Sequence, residues 1–318
     1  MTSYGFDSTT DDVLAGIDLT GTRVLITGTS AGLGVETARS LTAHGATVFG
    51  VVRDVDKARR NLDEAGAVGV ELYQADLASL DSVRAFTDAF VADGHERIDV
   101  LIANAGIMAC PQGVTADGFE LQFGTNHLGH FVLVNRLMPL LSSGPEGSAG
   151  SAGPARVVML SSAGHRFSDV SIEDPGFART PYDEWVAYGR AKTANVLFAV
   201  ELDRRLRDRG VRATAVHPGG IATELGRHLT DESITALSAA RGTRKFEWKS
   251  VPQGAATSVW AGFVADPDEI GGRYCEDCAV SPVIDDSNVM PGVMRYALDP
   301  HTASALWAKS EELVGESF

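Results

Sequence analysis

The amino-acid sequence predicts an α/β fold in which helices cover both faces of one mostly parallel β-sheet. Six short apolar runs alternate with segments of helical periodicity over the first two-thirds of the 318-residue chain. The runs are apolar almost throughout, which is typical of strands that are buried on both faces. A glycine-rich stretch directly follows the first run and opens the first helical segment. These observations indicate a doubly wound, Rossmann-type parallel sheet in a single domain.

The predicted elements alternate in regular order as far as Pro218. Strands are predicted over residues 23–27, 46–52, 70–74, 98–103, 156–160 and 211–216. Helices are predicted between them over residues 33–44, 56–65, 79–92, 118–141 and 184–209. Beyond Pro218 the alternation breaks down. We assign residues 20–318 to the domain and residues 1–19 to an acidic N-terminal extension.

The charge of the chain argues against several classes of partner. The 42 Asp and Glu residues outnumber the 27 Lys and Arg residues, which gives a formal net charge of −15. Because such a surface repels phosphate backbones and anionic lipids, neither nucleic acid nor a membrane is expected to bind. The first twenty residues contain no apolar stretch that resembles a signal peptide, and no segment approaches a membrane span. We expect a cytoplasmic protein.

The three cysteines point to a reducing compartment and not to a metal site. Cys110, Cys275 and Cys278 are too few, and odd in number, for a disulfide-stapled fold. Cys275 and Cys278 have the spacing of half a zinc site, but the sequence has no second pair. No bound metal is therefore expected.

Two segments depart from the alternating pattern. Residues 142–155 are rich in Gly, Ser, Pro and Ala and are predicted to form a flexible surface loop, to which we assign no function. Residues 222–250 follow the sixth strand at the sheet edge where ligands bind in this fold class. Phe246 and Trp248 lie two residues apart there and would face the same side of an extended segment. We therefore predict a substrate lid over residues 222–250.

The turn between the first strand and the first helix carries the first chemical signal. Gly28, Gly32 and Gly34 form a GxxxGxG spacing within the stretch TGTSAGLG. Glycines at such a turn let the backbone approach a pyrophosphate, which the helix N-terminus then stabilises. At the first strand-to-helix junction of a doubly wound sheet this turn predicts a dinucleotide site, although a plain loop is the alternative.

The end of the second strand bears on the choice of dinucleotide. An acidic residue about 20 positions after the glycines would bind the ribose 2′-hydroxyl of NAD. Here the strand ends at Val52 and Arg53 follows. Because a guanidinium suits a 2′-phosphate, the sequence favours NADP(H) as cofactor. Asp54 keeps NAD(H) as an alternative, and a solvated surface charge is the other interpretation of Arg53.

Four further residues carry polar groups suited to proton transfer. Tyr188 and Lys192 lie four residues apart in a predicted helix and so share one face, where a cation would lower the tyrosine pKa. Ser162 stands at the end of the fifth strand, where a simple strand-end cap is the alternative interpretation. Asn126 lies inside an otherwise apolar helical segment, where an amide needs a hydrogen-bonding reason or is a satisfied core residue.

In this order these residues resemble the short-chain dehydrogenase/reductase family. The resemblance runs from about residue 20 to 314 and includes Asp76-Leu77, Asn104-Ala105-Gly106 and His217-Pro218-Gly219 followed by Thr223. Within the family the chain is most similar to the retinol-dehydrogenase-like branch, on segments such as FGTNHLGHF and YGRAKTANVLFA. Many members of that branch carry an N-terminal membrane anchor that this sequence lacks, which argues against microsomal retinol metabolism.

The resemblance implies a role for each candidate residue. Tyr188 would act as general acid/base, and Lys192 would lower its pKa and hold the nicotinamide ribose. Ser162, the second serine of its pair after Ser161, would hydrogen-bond the substrate carbonyl, and Asn126 would anchor a water that leads protons away from Lys192. Besides Gly28, Gly32, Gly34, Arg53, Tyr188 and Lys192, the implied cofactor contacts are Ser30, Ala31, Leu33, Asp76, Leu77, Asn104, Ala105, Gly106, Pro218, Gly219, Ile221 and Thr223.

The sequence thus predicts an NAD(P)-dependent alcohol dehydrogenase or carbonyl reductase. The expected substrate is a small lipophilic secondary alcohol or its ketone, such as a steroid, a retinoid or an aromatic carbonyl. Two other functions stay open: reduction of carbon–carbon double bonds on the same scaffold, and a non-catalytic nucleotide-binding regulator. The family resemblance also implies a homo-oligomer, either a dimer or a tetramer.

Overall fold

The main sheet has a doubly wound, largely parallel topology. The structure, a computed structural model, describes residues 4–141, 153–226 and 247–318. Within these ranges eight strands form one sheet in the order β3-β2-β1-β4-β5-β6-β7-β8. All neighbouring strands are parallel except β7 and β8, which pair antiparallel. The strands are β1 Arg23–Thr27, β2 Thr47–Val52, β3 Glu71–Gln74, β4 Val100–Ala103, β5 Ala155–Leu160, β6 Val211–His217, β7 Tyr274–Glu276 and β8 Ala279–Val280.

Helices connect the strands and lie on both faces of the sheet. The α-helices of the described ranges are α1 Thr10–Leu14, α2 Gly32–Ala43, α3 Val55–Glu64, α4 Leu80–Ala92, α5 Leu121–Phe123, α6 Gly129–Leu137, α7 Glu184–Leu206, α8 Val251–Phe263, α9 Pro267–Ile270 and α10 Pro300–Val314. A π-helical segment, Gly124–Leu128, joins α5 to α6. Two further short strands, β9 Val283–Ile284 and β10 Val293–Met294, pair with each other.

Successive side chains of the strands enter two different cores, one on each face of the sheet. In β1, Leu25 packs into a core with residues of α4, α6, α7 and α10, whereas Val24 and Ile26 pack into a second core with α1, α2, α3 and α8. Successive side chains of a strand point to opposite faces, so both faces of β1 are buried. This arrangement confirms the predicted doubly wound sheet in a single domain.

Most predicted strand boundaries agree with the structure to within two residues, but the region after Pro218 does not. The sequence suggested that the βα alternation ends there, whereas α8 and β7 continue it with another parallel crossover. The strand β7 spans only Tyr274–Glu276. A run of three residues is too short to show a periodicity, which is why the sequence did not reveal it.

The predicted helix over residues 118–141 is also divided into several segments. The carboxylate of Glu120 caps α5 by accepting hydrogen bonds from the backbone of Gln122 and Phe123. The backbone then passes through the π-helical segment before α6, and ends in a 3-10 turn, Met138–Leu140. Such π-helical insertions are frequent at functional sites, and this one contains Asn126.

The N-terminal extension is held against the domain. Thr9 and Asp12 form a reciprocal capping box at the start of α1, and Val13 and Leu14 of that helix are fully buried. The guanidinium of Arg39 on α2 binds Asp11 at 2.7 Å. Residues 10–14 therefore cover the helices α2 and α8 and contribute to the second core.

Two predicted segments lie partly or wholly outside the described residues. Residues 142–152 of the predicted surface loop lie outside the described ranges. Residues 227–246 of the predicted lid, which include Phe246, also lie outside them. The residues on either side of the undescribed part of the predicted lid are adjacent in space: the backbone N–H of Lys249 donates to the carbonyl of Gly220 at 2.9 Å. Within the ranges described, no helix has the length and apolarity that a membrane span requires.

Candidate active site

The candidate residues gather at one edge of the sheet. Parallel strands end at the same edge, and the adjacent strands β1 and β4 mark the point where the strand order reverses. Each of β1 to β6 is followed there, within two residues of its end, by a member of the predicted site, namely Gly28, Arg53, Asp76, Asn104, Ser162 and Pro218. The fold therefore brings together residues that are up to 190 positions apart.

The glycine-rich turn lies directly against the turn that follows β4. Gly28 has a φ of +79°, and a Cβ atom there would lie 2.9 Å from the Cα of Ala105. A Cβ on Gly34 would lie 2.1 Å from the carbonyl oxygen of Gly28. The amide of Asn104 donates to the carbonyl of Thr27 at 2.8 Å. This approach leaves no room for side chains at Gly28 and Gly34.

The N-terminus of α2 carries no side-chain cap. Ala31 occupies the N-cap position of α2, and no side chain accepts a hydrogen bond from the first turn. By contrast Asp54, Ser79, Asp183 and Asp299 cap α3, α4, α7 and α10. The uncapped N–H groups and the positive end of the helix dipole suit an anionic phosphate. With the side-chain-free backbone of Gly28, they fit the pyrophosphate of a dinucleotide.

The other predicted cofactor contacts surround this turn. Leu33 and Ile221 converge on Gly254 of α8, and Thr223 lies beside Gly32. The carboxylate of Asp76 accepts from the backbone of Ala78 at 3.0 Å, and Leu77 packs on Gly129. The carbonyl of Ser30 accepts from Asn61 at 2.7 Å. Ala105 and Gly106 line the turn after β4, and Pro218 and Gly219 line the turn after β6.

Arg53 and Asp54 have different environments at the end of β2. The carboxylate of Asp54 accepts a hydrogen bond from the backbone of Lys57 at 2.9 Å and so caps α3. The side chain of Arg53 is exposed and has no hydrogen-bond partner within the described ranges, while its carbonyl accepts from Gln74 at 3.0 Å. The guanidinium of Arg53 is therefore not engaged by the protein in the described ranges, whereas one oxygen of the Asp54 carboxylate is.

Ser162 and Tyr188 form the centre of the catalytic candidates. The hydroxyl oxygen of Ser162 accepts from the backbone of Gly164 at 3.0 Å. Burial raises the pKa of Tyr188, and the nearby hydroxyl of Ser162 lowers it by a smaller amount. The tyrosine ring packs on Gly164, where a Cβ would lie 2.5 Å from the ring carbon Cε1. The hydroxyl of Ser161 instead donates to the carbonyl of Lys192 at 2.8 Å. Ser162 is thus the serine of the pair that faces Tyr188.

Lys192 is buried on the same face of α7. Its ammonium donates to the carbonyl of Leu160 at 3.0 Å and lies 5.8 Å from the centroid of the Tyr188 ring. Burial lowers the pKa of Lys192 to about 8 and raises the pKa of Tyr188 to about 12. The sequence led us to expect a lowered tyrosine pKa. In the protein alone, however, the pKa of the phenol is raised, because desolvation outweighs the lowering effect of Ser162.

Asn126 has a structural reason for its buried amide. Its Oδ1 accepts from the backbone N–H of Ile107 at 2.9 Å, and its Nδ2 donates to the carbonyl of Ile107 at 3.0 Å. The amide therefore joins the π-helical segment to the loop after β4. A Cβ on the neighbouring Gly106 would lie 3.1 Å from Asn126 Oδ1 and 3.5 Å from Lys192 Nζ. Asn126 and Lys192 thus face the same small space.

Two histidines that the sequence did not assign to the site fix the turn of Ser162. His165 donates through Nδ1 to the carbonyl of Ser162 at 2.7 Å, and its Nε2 accepts from the backbone of Met294 at 3.1 Å. The Nδ1 of His217 accepts from the backbone of Ala163 at 3.2 Å. The sequence signal for His165 was its position three residues after Ser162. The partner Met294 is distant in sequence, so only the fold reveals the contact.

The two neighbouring cysteines lie away from this chemistry. Cys275 and Cys278 are buried free thiols beside the hydroxyls of Thr214 and Thr257, and burial raises the pKa of each thiol, to about 12 and about 11. In the described part of the chain no three His, Cys, Asp or Glu side chains are grouped so as to hold a metal ion.

An uncapped helix behind a glycine turn, with serine, tyrosine and lysine at the same sheet edge, defines a dehydrogenase-type nucleotide fold. The sequence profile described as short chain dehydrogenase matches residues 22–168. A Streptomyces lividans protein named "Probable oxidoreductase" is 41% identical over 92% of this chain and 97% of its own. Human retinol dehydrogenase 14 is 37% identical over 93% of this chain and 87% of its own. The chain belongs to the short-chain dehydrogenase/reductase family of oxidoreductases.

Solved structures agree with this assignment. The Pseudomonas aeruginosa RhlG/NADP active-site complex superposes with a TM-score of 0.62 at 25% identity. The match covers 81% of this chain and 95% of the Pseudomonas chain. That protein holds NADP on a fold of the same kind. The match thus spans a larger share of this chain than residues 22–168, which the family profile covers.

We predict that Gly28→Ala is more damaging than Gly66→Ala. Both glycines have positive φ, +79° and +74°, but a Cβ at Gly66 would have no atom within 4 Å. The shared backbone strain costs about 1–2 kcal/mol, and the contact with Ala105 adds about 1–3 kcal/mol to Gly28→Ala alone. Urea unfolding and NADPH binding of the two variants measure the difference. Equal losses of stability, with equal dinucleotide affinity, would contradict the close-approach argument.

Proposed function

We propose that this chain is an NAD(P)-dependent alcohol dehydrogenase or carbonyl reductase of lipophilic substrates. The observation that carries the proposal is the position of Ser162 and Tyr188 side by side at Gly164, with Lys192 buried on the same helix face as Tyr188. This arrangement supplies two hydroxyl groups to one substrate oxygen. The similarity to a protein named retinol dehydrogenase supports a lipophilic alcohol or carbonyl compound as substrate. Within that class we propose a secondary alcohol or its ketone, which is steroid-like, retinoid-like or aromatic.

The cofactor in this proposal is NADP(H), with NAD(H) as the alternative. The N-terminus of α2 and the turn at Gly28 would hold the pyrophosphate, and Arg53 would bind the 2′-phosphate. Asp54 serves as the cap of α3, which makes it less suited to a ribose hydroxyl. When bound, the nicotinamide supplies or accepts the hydride. The NADP complex of the Pseudomonas protein supports the same preference.

Four side chains would transfer the proton that the substrate oxygen gains during reduction. Ser162 and Tyr188 would donate hydrogen bonds to the substrate oxygen, where negative charge develops during reduction. Because burial raises the pKa of Tyr188 to about 12, the phenol is protonated at neutral pH and is the form that donates to an alkoxide. Lys192 would favour the phenolate that remains after this transfer, through its positive charge. Asn126 would anchor a water that leads protons away from Lys192 during oxidation of the alcohol and toward it during reduction of the ketone.

The contact between Ser162 and Tyr188 also favours carbonyl chemistry over reduction of carbon–carbon double bonds. A serine hydroxyl beside the tyrosine supplies a second donor to an oxygen on which charge develops, and direct reduction of a carbonyl has more need of it than reduction of a double bond. A regulator that only senses nucleotides would not need the serine, the tyrosine and the lysine together. We further propose a cytoplasmic homo-oligomer, a dimer or tetramer, as the family resemblance implies.

Replacing Tyr188 with Phe tests the proton-transfer role. Loss of a general acid typically lowers turnover by about 10²–10⁴-fold. We expect Tyr188→Phe to lower kcat to that extent while the Kd for NADPH changes little. Tyr73→Phe, on the edge strand β3, is the matched control and should keep full activity. Steady-state assays with an aromatic ketone provide the measurement. A kcat for Tyr188→Phe above about a tenth of the wild-type value would remove Tyr188 from the mechanism.

Replacing Arg53 with Ala tests the cofactor preference. A charge-assisted hydrogen bond is worth about 1.5–3 kcal/mol, so Arg53→Ala should weaken NADPH binding by roughly 10- to 150-fold and leave NADH binding nearly unchanged. Arg60→Ala, an exposed arginine on α3, is the control for a general loss of positive charge. Parallel titrations with both dinucleotides give the answer. Equal effects on NADPH and NADH would show that Arg53 is only a surface charge.

A further inference from the structure

A buried histidine joins three parts of the candidate site. His130, on α6, is fully buried; its Nε2 lies 2.9 Å from the hydroxyl oxygen of Thr27, and its Nδ1 lies 2.9 Å from the main-chain oxygen of Asn126. The same Thr27 hydroxyl accepts a hydrogen bond from the backbone of Ala105 at 3.0 Å. The end of β1, the turn after β4 and the π-helical segment therefore meet at one imidazole.

The partners determine which nitrogen of His130 carries the proton. A carbonyl oxygen only accepts, so Nδ1 carries the hydrogen that it donates to Asn126. Nε2 is then unprotonated and accepts from the Thr27 hydroxyl, whose oxygen accepts in turn from Ala105. In this series of hydrogen bonds, from Ala105 through Thr27 and His130 to Asn126, each donor has an acceptor and all the bonds run in the same direction. A fully satisfied buried network of this kind fixes a single arrangement of its members.

The neutral form of His130 is also the form that its surroundings favour. Burial, with a contribution from the positive charge of Lys192, lowers the pKa of His130 to about 4, although the bond to Asn126 raises it. At neutral pH the imidazole therefore stays uncharged and keeps one donor and one acceptor. Protonation of Nε2 would place a second donor against a Thr27 oxygen that already accepts from Ala105.

We propose that His130 is a positioning residue of the active site. Through Nδ1 it fixes the position of the main-chain carbonyl of Asn126. Through Nε2 and Thr27 it fixes the position of the glycine-rich turn relative to the turn after β4. The effect of His130 on turnover rests on the proposed function, which assigns a catalytic role to Asn126. The effect of His130 on dinucleotide binding does not depend on that catalytic role, because His130 acts there through Thr27 and Ala105.

The two bonds of His130 can be removed separately. Asn135, on the same helix, donates through Nδ2 to the carbonyl four residues earlier, Phe131, at 2.9 Å. An asparagine at position 130 would make the same bond to Asn126 but would be too short to reach Thr27. His130→Asn therefore removes the Thr27 bond alone, and Thr27→Val removes it from the other side. His130→Leu removes both bonds.

The test measures the Kd for NADPH and the melting temperature, and separately kcat with an aromatic ketone. One lost hydrogen bond corresponds to about 0.5–1.5 kcal/mol, so His130→Asn and Thr27→Val should each weaken NADPH binding by about 2- to 13-fold. The double variant should be no weaker than either single variant, and Thr27→Ser, which keeps the hydroxyl, should bind as the wild type does. His130→Leu should in addition lower kcat below that of His130→Asn.

His127→Asn is the matched control, because His127 is an equally buried histidine of the π-helical segment that contacts Ser310 on α10 and not the site. It should lower the melting temperature without changing the Kd for NADPH. Wild-type affinity in both His130→Asn and Thr27→Val, or an equal loss in His127→Asn, would overturn the proposal and make His130 an ordinary core residue. If His130→Leu does not fold, the Kd values of His130→Asn and Thr27→Val still test the proposal. Because the Kd is measured without substrate, failure of the proposed reaction would appear only in kcat.

Discussion

The attachment of α7 to the end of β5 is the constraint on which the candidate site depends. The carbonyl of Leu160 accepts hydrogen bonds from Lys192 and from Asn195, both at 3.0 Å, and the hydroxyl of Ser161 donates to the carbonyl of Lys192 at 2.8 Å. These bonds hold one face of the helix against the last residues of the strand. Because Tyr188 lies one turn before Lys192, they also set its distance from Ser162. Without this attachment the three polar side chains would have no common position.

The same attachment explains why the two titratable groups are shifted in opposite directions. Burial penalises whichever form is charged, so it lowers the pKa of Lys192 to about 8 and raises that of Tyr188 to about 12. The site thus favours an uncharged phenol and weakens the hold of the lysine on its proton. At neutral pH the phenol therefore keeps its proton, and Lys192 still carries most of its charge. In the proposed reaction the phenol would be the donor, and the nearby charge of Lys192 would favour the phenolate that it leaves.

The sequence predicted what regular periodicity and local spacing determine. The apolar runs of β1 to β6 and the pairing of Tyr188 with Lys192 on one helix face could be read directly, and so could the glycine turn before α2. The strand β7 could not, because three residues are too few to show alternation. The raised pKa of Tyr188 and the neutral, singly protonated state of His130 depend on desolvation and on partners such as Leu160 and Thr27. Those partners are adjacent only in the folded chain.

The central claim is that this site transfers hydride to a carbonyl carbon while Tyr188 protonates the oxygen. Single-turnover reduction of an α,β-unsaturated aromatic ketone with NADPH deuterated at both C4 positions of the nicotinamide tests it most directly, with wild-type enzyme and Tyr188→Phe side by side. The account predicts one deuterium on the carbinol carbon of an allylic alcohol, formed at least about 100-fold more slowly by Tyr188→Phe. Deuterium on the β-carbon of a saturated ketone, an unchanged rate in Tyr188→Phe, or no transfer to the ketone when the dinucleotide is bound would contradict it.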